Sequence, residues 1–207
     1  MKKLLSLLSA AAVCLALAAC AASPAMSSSQ SSTDSVDSSL SESSSEEPNG
    51  PLIIYFSCTN NTKRVAESIA TLLGAAAFEI VPQIPYESAD LNYRDEASRV
   101  CAEHNDPSIR PLISSLPDDL DGYSTIFIGY PIWWGEAPNI IYTLLDELDL
   151  SSKTIFPFCT SQSSGVGDSA KNLALYEPDS LWRDGKRFSQ DFTDDEVDAW
   201  LISIGQK

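Results

Sequence analysis

The stretch Leu52-Ile53-Ile54-Tyr55-Phe56-Ser57-Cys58-Thr59-Asn60-Asn61-Thr62 decides how this chain folds. Its first five residues are apolar without alternation, which suits a strand buried on both faces rather than a half-exposed one. Six polar or small residues follow, and then Val65, Ile69, Leu72 and Leu73 recur at helical spacing over Asn61–Leu73. The unit is strand, polar turn, helix. It recurs twice. Thr125–Tyr130 (TIFIGY) runs into Pro131–Pro138 and a helix over Pro138–Leu148, with proline at its start. Thr154–Cys159 (TIFPFC) runs into a small polar loop and a helix over Asp168–Tyr176. Pro157 is unfavourable for a central strand, because it removes a ladder donor. Further strands are expected at Ala76–Val81 and, weakly, at Leu181–Phe188, with helices near Leu91–His104 and over Thr193–Ile204. Alternation at this spacing predicts an α/β domain: a doubly wound, five-stranded parallel sheet with helices on both faces, three layers in all. Such sheets bind ligands at the carboxyl ends of their strands.

Of the 207 residues, only 51–207 can build this domain. All the Trp, Tyr and Phe residues lie there, and 157 residues suffice for one sizeable core. Residues 1–20 (MKKLLSLLSAAAVCLALAAC) carry two lysines, an apolar run and a small-residue stretch, the layout of a signal peptide. Residues 21–50 hold no aromatic and no basic residue, and Ser27–Ser45 has 12 serines in 19 positions with Asp34, Asp37 and Glu42 interspersed. That composition buries too little apolar surface to offset chain entropy and is expected to be a disordered tether.

The chain has 13 basic and 29 acidic residues; without Lys2 and Lys3 the charge is near −18, and the domain alone, with 11 basic and 24 acidic residues, is near −13. A surface this negative disfavours nucleic acid and favours plain solubility. The single histidine, His104, lies in a polar stretch and is expected to be solvated. After Cys20, only Cys58, Cys101 and Cys159 remain, an odd number with no Cys-x-x-Cys, which gives no complete disulfide framework. Leu17-Ala18-Ala19-Cys20 resembles the lipobox of bacterial lipoproteins, which implies cleavage before Cys20 and lipidation of its sulfur. The expectation is a bacterial, extracytoplasmic lipoprotein held to the membrane through Cys20.

All three strong strands end in unusual loops. Ser57–Thr62 offers three hydroxyls, two amides and the free N–H groups of a helix start, where the dipole favours an anion. It has neither the lysine nor the spaced glycines of a triphosphate loop, so a phosphate monoester held by neutral donors fits it; the plain alternative is a polar turn with a helix cap. Pro131-Ile132-Trp133-Trp134-Gly135 sets two tryptophans side by side, and both cannot face one core, so one is expected to cap the sheet and the other to meet a flat aromatic ligand. Thr160-Ser161-Gln162-Ser163-Ser164-Gly165 supplies backbone donors without bulk.

At these residues the chain resembles the flavodoxin-like family. Ile53-Ile54-Tyr55-Phe56-Ser57-x-Thr59-x-Asn61-Thr62-x-x-x-Ala66 is similar to the family's FMN phosphate loop, with Asn60 where glycine is usual. Gly129-Tyr130-Pro131-Ile132-Trp133-Trp134-Gly135, with Pro138 opening a helix, resembles the ring-binding loop of its small bacterial members. Pro157-Phe158-Cys159-Thr160-Ser161 resembles the third flavin loop, with Gln162 and Ser163 at positions where glycines are common. The resemblance implies strand order 2-1-3-4-5 and noncovalent FMN. The phosphate would lie on Ser57, Thr59, Asn60, Asn61 and Thr62, with Cys58 in the same loop; Trp133 or Trp134 would stack on the ring, beside Pro131 and Ile132. Gly135 and the Thr160–Gly165 loop (Thr160, Ser161, Gln162 and Gly165) would meet its polar edge. It also implies electron transfer with a redox partner protein or small acceptor, and the acidic domain is expected to lower the flavin potential.

Two other chemistries compete. One is an oxidoreductase that takes hydride from NAD(P)H to FMN or a quinone; without a second dinucleotide fingerprint, the nicotinamide would bind only transiently. The other starts from Cys58-x5-Arg64, the spacing of low-molecular-weight tyrosine phosphatases, with Asp106 as a candidate acid. Trp133 and Trp134 have no use in that reading.

Overall fold

A strand buried on both faces must carry apolar side chains at both alternations, and β1 (Leu52–Tyr55) does. Leu52 and Ile54, with Phe56 beyond them, enter one core cluster, while Ile53 and Tyr55 enter another on the opposite face. The computed structural model describes residues 50–207, so the leader, Cys20 and the serine-rich segment lie outside the described residues. The remaining elements are α1 (Asn61–Leu73), β2 (Ala76–Glu79), α2 (Arg99–Asn105), β3 (Thr125–Pro131), α3 (Asn139–Glu147), β4 (Thr154–Thr160), α4 (Ser169–Tyr176), β5 (Leu181–Trp182), β6 (Lys186–Phe188) and α5 (Asp194–Ser203).

The strands form one parallel sheet in the order β2-β1-β3-β4-β5, with β6 also paired to β4. This is the expected 2-1-3-4-5 arrangement. Val65, Ala66 and Ile69 of α1 and Val197, Trp200 and Leu201 of α5 pack on one face. Ile140, Ile141, Leu144 and Leu145 of α3 and Leu173 of α4 pack on the other. Three layers result.

Two expectations are corrected. The helix expected near Leu91–His104 begins only at Arg99. The preceding polar residues bond their own backbone instead: Asp90 Oδ2 accepts from Glu87 N (2.9 Å), Asn92 Oδ1 from Arg94 N (3.2 Å) and Asp95 Oδ1 from Ala97 N (3.0 Å). Such local bonds, the last two of them Asx turns, compete with helix until Ser98 caps α2 through Cys101 N. The fifth strand, expected as one piece over Leu181–Phe188, is split into β5 and β6. Pro157 explains the split. Thr154 N donates toward β3, to Ser124 O, so by strand alternation the missing N–H of Pro157 falls on the β5–β6 side. A proline is tolerated in this inner strand because the neighbouring strand is interrupted beside it. Gly185 passes there, where a Cβ would lie 3.4 Å from Pro157 Cγ and 3.0 Å from Val166 Cγ2.

Gly129 in β3 lies against the ring of Phe158 on β4, and a Cβ added to it would stand 2.2 Å from Phe158 Cζ. Phe158 is fully buried and cannot move aside. Gly129→Ala is therefore expected to destabilise the domain by about 1–3 kcal/mol, the usual penalty of overpacking, measured by urea unfolding. Unchanged stability would mean that the Phe158 ring is free to shift.

Candidate functional site

The three loops of the sequence reading leave the sheet at one edge. Register pairs Tyr55 with Gly129 and Pro131 with Thr160, so Ser57, Pro131 and Thr160 stand in line where β1, β3 and β4 end. Thr62 Oγ1 and Thr160 Oγ1, both buried, share a hydrogen bond of 2.8 Å that ties the first turn of α1 to the end of β4.

The first loop is shaped for an anion. Asn60 takes φ 62°, the left-handed backbone for which asparagine is the best substitute for glycine. No side chain caps α1 and no acidic residue stands in its first turn. The N–H groups of Asn61, Thr62 and Lys63 therefore have no intrahelical acceptor, and no carboxylate competes for the positive end of the dipole. α3 and α4 also begin without a side-chain cap, whereas Thr193 caps α5 through Glu196 N and the first turn of α5 holds Asp194, Asp195 and Glu196. Beside the open start of α1, Ser57 Oγ is buried and has no hydrogen-bond partner, the single such side-chain atom among the described residues. A buried hydroxyl without a partner destabilises a protein unless something bonds to it. Asn61 Nδ2 donates to Thr59 Oγ1 (3.2 Å), which holds that side chain across the loop.

Beside this cradle is a cleft of about 470 Å³, within the usual range for a small-molecule site. Cys58, Thr59 and Thr62 line it from the first loop, Pro131, Ile132, Trp133 and Trp134 from the second, and Ser163 and Ser164 from the third. Gly135, Thr160, Ser161, Gln162 and Gly165, expected at the ring's edge, do not line the cleft, and neither do Ser57, Asn60 and Asn61 of the first loop. Sequence reasoning missed its remaining wall, made by Leu91, Tyr93 and Val100. Their segment reads as a polar excursion, and only the chain path through the Asx turns brings its apolar residues here.

The two tryptophans differ in burial and in partners. Trp133 is half-buried and meets Phe56 and Tyr86 edge-on, with ring centroids 5.9 and 5.6 Å away. Tyr86 is fixed in turn, its hydroxyl donating to Glu103 Oε2 (2.7 Å) and the Arg99 guanidinium lying 3.8 Å over its ring. Burial, and then the bond to Glu103, hold the Tyr86 phenol well above its ordinary pKa, so it stays a donor. Trp134 is 43 % exposed and stacks on His104 with centroids 4.4 Å apart and planes within 8°. His104 is thus not simply solvated, as its polar neighbours suggested. Trp133 and Glu136 exchange both backbone hydrogen bonds around a two-residue turn with φ 49° at Trp134 and φ 87° at Gly135. Positive φ at a tryptophan stores about 1–3 kcal/mol of strain, a feature that clusters at ligand sites.

The phosphatase geometry is absent. Arg64 turns away from the loop: its Nη1 donates to Gln190 O (3.0 Å) and its guanidinium lies 5.0 Å over Phe192. Burial first, then the charge of Glu103, push the Cys58 thiol up to about 12, with Arg99 opposing only in part. A nucleophilic cysteine needs the reverse. Asp106 is engaged by Ser108, whose N and Oγ both donate to it.

Sheet order and an anion cradle beside an aromatic cleft define the class of flavodoxin-type proteins. The family model described as flavodoxin matches residues 51–204, and the chain belongs to that family. Among solved structures it is similar to a candidate flavoprotein of Bacteroides eggerthii, at 40 % identity and TM-score 0.72 over 76 % of this chain and 99 % of that one. A second, from Bacteroides uniformis, shows 36 % identity and TM-score 0.72 over 75 % and 99 %. A flavoprotein of Lactobacillus acidophilus in complex with FMN shares the fold at 23 % identity and TM-score 0.59, over 73 % and 98 %. No curated protein matches the chain.

With its pKa near 12, Cys58 is expected to be alkylated by iodoacetamide at neutral pH on the order of a thousandfold more slowly than an ordinary thiol of pKa 9. Peptide mass spectrometry of the native and the urea-unfolded chain measures this. Rapid labelling of native Cys58 would show that Glu103 and burial do not control it.

Proposed function

We propose that this domain binds FMN noncovalently and works as an electron-transfer flavoprotein. The observation that carries the proposal is Ser57 Oγ, buried and unpartnered beside the uncapped start of α1. A phosphate monoester would supply the acceptor that this hydroxyl and the N–H groups of the first turn lack. The cleft beside it, bounded by Trp133, Trp134 and Tyr93, suits a flat ring system. Membership of the flavodoxin family and the FMN complex of the Lactobacillus relative support the same cofactor. When bound, FMN would supply one- and two-electron redox chemistry.

The chain's own part is binding and orientation. Ser57, Thr59 and Thr62, with the backbone at Asn60 and Asn61, would hold the phosphate. Trp133, fixed by Phe56 and Tyr86, would form one rigid wall. Trp134, exposed and in a strained turn, would form the adaptable one. The Thr160–Gly165 loop would meet the polar edge.

The composition of residues 1–50 supports the reading that this work is done at the outer face of a membrane, with Cys20 lipidated and the serine-rich stretch as tether. There a soluble NAD(P)H pool is not expected, which favours an electron carrier, served by a redox partner protein or small acceptor, over an NAD(P)H-dependent reductase.

Ser57→Ala is expected to weaken FMN binding about ten- to hundredfold, the value of a hydrogen bond to a charged group, and to leave riboflavin binding unchanged. Quenching of tryptophan fluorescence reads both. Equal losses for the two ligands would remove the phosphate from Ser57, and a wild-type protein that binds neither would end the flavin reading. For the anchor, Cys20→Ala should move the expressed protein out of the membrane fraction. A variant that still sediments with membranes would count against lipidation. NADH bleaching the flavin within seconds would reverse the preference for a carrier.

A further inference from the structure

The third loop, Thr160-Ser161-Gln162-Ser163-Ser164-Gly165, has the composition of a flexible segment, yet one side chain organises it from behind. Arg187 of β6 donates from Nη2 to Ser161 O (2.6 Å) and Gln162 O (2.8 Å), and from Nε to Ser161 Oγ (3.1 Å). Ser161 Oγ in turn donates to Ser164 O. No carboxylate pairs with Arg187 among the described residues, whose ion pairs use Lys63, Arg99, Arg110, Lys186 and Lys207. Its positive charge is spent on backbone carbonyls, where a neutral donor would ordinarily serve.

The consequence follows from peptide geometry. The peptides are trans, so each N–H points opposite to the C=O of the same peptide group. With the carbonyls of Ser161 and Gln162 drawn to Arg187, the N–H groups of Gln162 and Ser163 point away from it, and neither donates to another backbone group. Ser163 and Ser164 line the cleft. The loop thereby becomes a small array of donors with a full positive charge behind it. Arrays of this kind stabilise negative charge that appears in front of them, because they are oriented before the charge arrives.

We propose that Arg187 is a positioning residue that turns the third loop's N–H groups toward the cofactor's polar edge and favours the reduced, more negative cofactor over the oxidised one. This rests on the reading that the cleft holds FMN. Arg187 would thus offset locally the negative field that the rest of the domain, near −13, imposes on added electrons. Lysine could keep the charge but not the fork that engages two carbonyls at once, so the two substitutions separate the two effects.

The test uses purified wild type, Arg187→Gln and Arg187→Lys. Dissociation constants are measured by fluorescence for FMN as supplied and for FMN reduced with dithionite under anaerobic conditions. Arg187→Gln is expected to lose about tenfold in the preference for reduced over oxidised FMN, the scale of one partly screened charge, while Arg187→Lys recovers most of that preference. In the cofactor-free proteins, amide hydrogen exchange at Ser161, whose N–H donates to Phe188 O (3.3 Å), should accelerate in both variants, because both lose the fork that holds the loop. Equal weakening of oxidised and reduced FMN in Arg187→Gln would overturn the electrostatic role and leave a merely structural one, and unchanged exchange would overturn the positioning role. A wild type that binds no FMN while the variants' loops exchange faster would fail the flavin reading and keep the positioning of the loop.

Discussion

The structure depends on one parallel ladder, in which Tyr55, Gly129 and Phe158 lie side by side across β1, β3 and β4. It exists because Gly129 has no side chain and the Phe158 ring occupies the space that one would fill. Parallel strands in register end together, so the chain leaves the sheet at Ser57, Pro131 and Thr160 along one edge. The site is a consequence of that alignment. Its first and third loops are then joined by the buried Thr62–Thr160 hydrogen bond, which spans 98 residues of sequence.

On this frame the two halves of the site obey opposite rules. The aromatic half is satisfied from within: Trp133 has Phe56 and Tyr86, and Tyr86 has Glu103 and Arg99. The anion half is left open, since Ser57 Oγ lacks a partner and α1 begins without a cap, although the same chain caps α5 fully. An open donor set beside a closed aromatic wall is what a ligand with an anionic end and a flat ring requires. The local charge is also at odds with the global one, because an acidic domain directs an unpaired arginine into the loop that faces the cleft.

Much of this was legible in the sequence, and the reasons are local. Unbroken apolar runs mark strands buried on both faces, since each alternation must find a core. Apolar spacing marks α1, and polar residues at the ends of the three strongest runs mark the loops. The left-handed turn at Asn60 was readable because few residues other than glycine take positive φ cheaply. Local competition misled the reading once, over residues 91–98, where Asx turns displaced the helix. Pro157 looked like an obstacle because strand alternation alone cannot say which neighbour its missing donor faces.

What the sequence by itself determined, then, is the set of elements, their class and the chemical character of three loops. These follow from periodicity and backbone preference within a few residues. Only the tertiary structure decided which loop residues reach the cleft, that Leu91, Tyr93 and Val100 close it, and that Trp133 is the fixed indole and Trp134 the exposed one. It alone turned Arg64 from Cys58 to Phe192 and brought Arg187 beneath the third loop. Those outcomes rest on contacts between residues far apart in the chain, whose geometry is set by sheet register and helix packing and has no counterpart in any local pattern.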